Sequence, residues 1–198
     1  PVTEVTQIVS TVVFPAYSRI QDDTAALRDA FLRTVRLTSY LSFPMAVGIA
    51  VVSPLFVRTF FSPEWEPMIP VIRVLVVWAA LRSIVASIGP LFRAIGRPEY
   101  NTALQSFRLV VLTAVLYPAT ATWGLAGAAL ALVISGVVEN PVAVYLAARR
   151  VDAEIGRIVG SLAVPAFASL SMGAIVVSVD GLVTGLSSPV TFVLLVVV

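Results

Sequence analysis

The sequence predicts an all-α fold, a polytopic transmembrane helix bundle, on three observations. Of its 198 residues, 59% are hydrophobic and only 12% are charged. A soluble domain carries about 25% charged residues, so polar surface is too scarce here to cover a water-facing fold. The apolar residues gather into stretches near the ~20 residues needed to cross a bilayer, not into the roughly 4 to 8 residue runs of buried strands. Arginines recur in the short loops between alternate stretches.

From the amino end, a partial span occupies residues 1–18 and closes on Phe14-Pro-Ala-Tyr-Ser-Arg19. A polar connector, 19–36, follows, with Asp22 and Asp23 where helix N-caps are favoured. Further spans are expected over about 37–61, 68–95, 102–120 and 124–147. These five form one unit, 1–147. Residues 148–198 add a charged loop and a further helix pair, over about 159–179 and from about 189 onward. The chain opens on Pro1 and closes within the run Phe192-Val-Leu-Leu-Val-Val-Val198, so it is expected to be a fragment of a longer protein with its last helix truncated.

All 13 basic residues are arginine; lysine, histidine and cysteine are absent. This excludes disulfides, thiolate nucleophiles, histidine general bases, lysine Schiff bases and Cys/His zinc sites. No catalytic residue, metal site or cofactor is expected, and no phosphate-binding glycine loop is present. Arginine placement sets the orientation. Arg19, Arg28, Arg33 and Arg36 lie in the first connector, Arg93 and Arg97 after the third span, and Arg149, Arg150 and Arg157 after the fifth. The alternating loops 62–67, 121–123 and 180–188 contain none. The positive-inside rule makes the arginine loops cytoplasmic, and Trp65 and Trp123 suit the opposite interface.

Four arginines remain. Arg58 and Arg73 sit near outer span ends and can snorkel to the interface. Arg82 falls near mid-bilayer, where insertion costs roughly 2.5 to 3.5 kcal/mol, so it is expected to face a wet cavity or a partner. Arg108 and Glu139 lie at matching depths, about 9 and 12 Å from the cytoplasmic ends of adjacent spans at ~1.5 Å per residue. They are expected to pair, either as a structural ion pair or as part of a substrate or ion-coupling site. Gly127, Ala131 and Ser135, at four-residue steps, form a small-residue face suited to close helix packing. Prolines recur within the spans, at Pro44, Pro54, Pro90, Pro118, Pro141 and Pro165. Each can kink its helix.

Several runs together resemble the C-terminal half of polysaccharide exporters in the MOP superfamily, which also contains the MATE drug exporters. They are Phe14-Pro-Ala-Tyr-Ser-Arg19 before a charged connector, Arg36-Leu37 opening a helix, Pro44 with Gly48, and Ser53-Pro-Leu-Phe-Val57. Arg93-Ala-Ile-Gly-Arg-Pro98 and Trp123-Gly-Leu-Ala-Gly-Ala-Ala-Leu-Ala131 continue the order across residues 1 to about 150. The outer loop Phe61-Ser-Pro-Glu-Trp65 departs from the pattern in lacking the family's common glycine. The resemblance implies a two-bundle, 14-helix transporter of the cytoplasmic membrane, with a missing N-terminal bundle upstream. It implies translocation of a polyprenyl-linked sugar by alternating access, the anionic diphosphate meeting a cationic cavity. Arg82 and Arg108 fit that substrate-binding role by type and depth, and Glu139 is the candidate for ion coupling. Its partners would be the lipid-linked substrate, the bilayer and the upstream bundle, with no nucleic acid.

Two other functions compete. A MATE-type drug or metabolite exporter would be expected to lack the final helix pair. An integral-membrane glycosyltransferase or polymerase would need acidic outer-loop residues. Only Glu64 and Glu66 are candidates there, in a loop too short to build a sugar site, and no enzymatic activity is expected.

Overall fold

The computed structural model describes residues 12–182, with side chains through residue 178. The expected final span from about 189 and most of the first lie outside the described residues. Residues 12–19 are helical (α1). They are followed by α2 (Thr24–Phe60), a 3-10 turn at Pro63–Trp65, α3 (Met68–Ala94), α4 (Glu99–Arg150) and α5 (Ile155–Leu182). The described chain is all-helical. Helices α2 to α5 each contain a stretch long and apolar enough to cross a membrane.

The carboxylate of Asp23 accepts from the backbone N–H groups of Ala25 and Ala26, both at 3.0 Å, and starts α2. No glycine or proline intervenes before Pro44, so the expected connector and the second span form one 37-residue helix. At ~1.5 Å per residue it is about 55 Å long, well beyond the ~30 Å hydrocarbon core. Its polar first third therefore projects past the membrane. An extended Phe61 ends it. Helix α3 ends at Gly96, whose φ of 68° lets Arg97 N–H reach back to the Phe92 carbonyl at 2.9 Å, a Schellman closure.

Helix α4 spans 52 residues but reverses at Gly124, where φ is 55° and ψ −133°. Only glycine adopts that backbone readily. Two antiparallel halves result, α4a (99–123) and α4b (125–150), which correspond to the expected fourth and fifth spans. A Cβ added at Gly127 would collide with the backbone carbonyl of Ala119, so the halves touch main chain to main chain just inside the reversal. Ala131 and Ser135 are fully buried further down the same face. The small-residue face is thus a packing seam.

Laterally, α5 packs on α2, α2 on α3, and α3 on α4. Buried hydroxyls line the α2–α3 contact, with Ser87 Oγ donating to Thr38 Oγ1 at 3.3 Å; small side chains of this kind let membrane helices approach. The main apolar core includes Tyr17, Phe31, Leu91, Phe92, Ala147 and Ile158. It ties every described helix together at one end. Three contacts place the arginine loops at that same end: Arg93 over the Phe14 ring, Arg28 donating to the Asp152 carbonyl, and Arg150 over the Tyr100 ring.

Candidate functional site

Arg82, Arg108 and Glu139 come from α3, α4a and α4b, and the packing of those helices brings the three charges into one cluster. Arg108 Nε lies 3.9 Å from Glu139 Oε2. Arg82 is close enough to feel both the like charge of Arg108 and the opposite charge of Glu139. One carboxylate thus lies in the field of two guanidiniums, and only Arg108 is placed against it; the three formal charges sum to a net positive charge.

Burial is unequal. Only 2% of the Glu139 side chain is exposed, against 25% of Arg108. Glu139 Oε1 and the Arg108 Nη1 nitrogen are buried without a hydrogen-bond partner, and 3.9 Å is long for a charge-assisted hydrogen bond, which normally falls near 2.7 to 2.9 Å. The pair is held apart, with donor and acceptor capacity unused.

Arg82 opens onto a recess of about 350 Å³ with Arg93, Asn101 and Gln105 on its walls. Arg108 lines a neighbouring recess of about 320 Å³. Thr102 and Gln105 border both, so the recesses of the two arginines adjoin along α4a. Asn101 is fixed by donating to the Gly89 carbonyl at 2.9 Å. The structure adds Gln105 and Asn140 to the residues expected from sequence. Asn140 donates to the Leu81 carbonyl at 3.2 Å, beside Arg82, while its Oδ1 is buried and unpartnered. An amide next to a carboxylate in an otherwise apolar span was the available signal.

The outer arginines have local partners. Arg58 pairs with Glu66 at 3.2 Å in an exposed turn. Arg73 donates to the Ala50 carbonyl at 3.4 Å, the acceptor that Pro54, lacking an N–H, leaves free four residues on. Neither joins the central cluster.

Residues 1–70 match the family described as "Polysaccharide biosynthesis protein". The chain is 31% identical over 68% of its length to an uncharacterized membrane protein in the cps region of Klebsiella pneumoniae. It is 35% identical over 54% to the lipopolysaccharide biosynthesis protein WzxC of Escherichia coli, and 26% identical over 91% to the teichuronic acid biosynthesis protein TuaB of Bacillus subtilis. It spans 28%, 22% and 37% of those proteins respectively. No solved structure matches it. The described helices and these likenesses agree: the chain is a multi-pass membrane protein that is similar, over residues 1–70, to the polysaccharide biosynthesis protein family.

Proposed function

We propose that the chain forms part of an alternating-access transporter that carries a lipid-linked oligosaccharide or polysaccharide precursor across the cytoplasmic membrane. One observation carries this reading: Arg82 and Arg108 line adjoining recesses on apolar helices, with the Glu139 carboxylate beside Arg108. A partly buried cluster with surplus positive charge and unused hydrogen-bonding capacity suits an anionic diphosphate, which guanidinium binds in a planar, bidentate manner. Glu139 would hold the arginines when substrate is absent and yield them when the diphosphate arrives. Release of the carboxylate would also expose it to a coupling ion. The names of the relatives, lipopolysaccharide and teichuronic acid biosynthesis proteins, support a surface-polysaccharide cargo.

The enzymatic alternative has less support. Glu66 is engaged by Arg58, and it shares with Glu64 a short exposed turn. The transport reading is tested by complementing a flippase-deficient strain with the full-length protein. Arg82→Gln should lower export at least tenfold at unchanged membrane abundance, with partial recovery in Arg82→Lys. Glu139→Gln should alter the ion dependence of export. Wild-type export in both Arg82→Gln and Arg108→Gln would overturn the assignment.

A further inference from the structure

We propose that the arginine-rich end of α4 binds an anionic phospholipid of the surrounding leaflet, its phosphate held by Arg149 and Arg150 and one acyl chain laid along Ile134, Val138, Val142 and Tyr145. This site is separate from the Arg82, Arg108 and Glu139 cluster and requires no transport activity.

The headgroup end is a recess of about 440 Å³ lined by Tyr100, Tyr145, Leu146, Arg149 and Arg150. The Arg149 guanidinium lies over the Tyr145 ring at 5.1 Å and that of Arg150 over the Tyr100 ring at 4.9 Å. Arg150 also donates to the Tyr100 hydroxyl. Stacking fixes each guanidinium plane and leaves N–H edges free for an anion. Among the described residues neither arginine has a carboxylate partner, whereas Arg97 and Arg58 are paired with Glu99 and Glu66. A helix C-terminus favours basic residues, but that preference accounts for neither the recess nor the apolar track beside it.

The track begins where the recess ends. Ile134, Val138, Val142 and Tyr145 follow steps of four, four and three residues, which place them on one face of α4b, and each is 39–45% exposed. From Tyr145 to Ile134 is 11 residues, about 16 Å at ~1.5 Å per residue. Half of a ~30 Å hydrocarbon core is about 15 Å. The track therefore has the length of one leaflet's acyl chain and would be overrun by a long polyprenyl tail. Tyrosine at its end sits where aromatic rings favour the headgroup level, with the two arginines just beyond.

Native mass spectrometry of the delipidated full-length protein tests this, with phosphatidylglycerol, phosphatidylcholine, a polyprenyl phosphate and inorganic phosphate as probes. Phosphatidylglycerol should be retained at least tenfold better than phosphatidylcholine. Arg149→Gln with Arg150→Gln should lower that binding more than tenfold, since each arginine near an anionic lipid surface contributes about fivefold. Val138→Ser with Val142→Ser should weaken it severalfold while preserving the headgroup preference. If the double arginine variant fails to assemble, Arg149→Gln alone must still give a loss of about fivefold. Unchanged binding in the arginine variants, equal retention of the two phospholipids, competition by millimolar phosphate, tighter binding of the polyprenyl phosphate, or indifference to the track substitutions would each overturn the proposal.

Discussion

The central cluster is asymmetric at the level of single residues. Glu139 lies beside Arg108 and in the field of Arg82, so its loss leaves two like charges uncompensated, whereas loss of Arg108 leaves one charge of each sign. Breaking a buried ion pair from one side costs roughly 3 to 5 kcal/mol when the remaining charge is uncompensated. Glu139→Gln should therefore destabilise the full-length protein by about 3 kcal/mol. Arg108→Gln should cost less, because the Arg108 side chain is 25% exposed and Arg82 remains to offset the carboxylate. Thermal unfolding in detergent should rank the variants in that order; the reverse order would mean that Arg82 lies outside the carboxylate's effective reach. The presence of Arg82, Arg108 and Glu139 as charges inside apolar spans was legible in the sequence, because each interrupts a hydrophobic run. Gln105 and Asn140 were less so, since a neutral amide perturbs hydropathy far less than a charge.

At the level of elements, the reversal in α4 depends on two glycines acting for different reasons. Gly124 supplies a backbone conformation that costs other residues about 1 to 3 kcal/mol. Gly127 leaves room for the opposing main chain at Ala119. Gly124→Ala should destabilise within that range. Gly127→Ala should cost at least as much, because overpacking costs about 1 to 3 kcal/mol and a backbone carbonyl cannot rotate aside as a side chain can. Gly48 is the control: an added Cβ there meets nothing within 4 Å, and alanine should be neutral or gain up to about 1 kcal/mol from helix propensity. Unfolding temperatures of the three variants distinguish steric and conformational effects from a general intolerance of change in the spans. That α2 to α5 carry long apolar stretches was readable from hydropathy; the fusion of the polar connector with the second stretch was not. A helix can continue beyond the membrane wherever a cap starts it and no breaker intervenes, and hydropathy does not report that continuity.

For the whole molecule, the alternation of arginine-rich and arginine-free loops agrees with the helix packing. The contacts of Arg93 with Phe14, Arg28 with Asp152 and Arg150 with Tyr100 gather the arginine loops at one end. The turn at Pro63–Trp65 follows the far end of α2. Because the chain has no cysteine, single cysteines at Ser62 and Glu154, both exposed, report sidedness directly. An impermeant thiol reagent applied to intact cells should label Ser62→Cys strongly and Glu154→Cys only after permeabilisation. Equal labelling would refute the orientation given by the positive-inside rule.

Composition and spacing alone determined that this chain resides in a membrane and which charges lie inside its long apolar stretches. These properties follow from the free energy of transferring each segment into hydrocarbon, a quantity that depends on local sequence. Tertiary structure decided that Arg108 meets Glu139 with Arg82 nearby, and that Arg149 and Arg150, stacked on Tyr145 and Tyr100, have no carboxylate partner among the described residues. Those relationships depend on helix rotation and lateral packing. The main-chain contact at Gly127 and the hydroxyl-lined α2–α3 contact fix that packing in space, across separations in sequence that a local pattern does not reach.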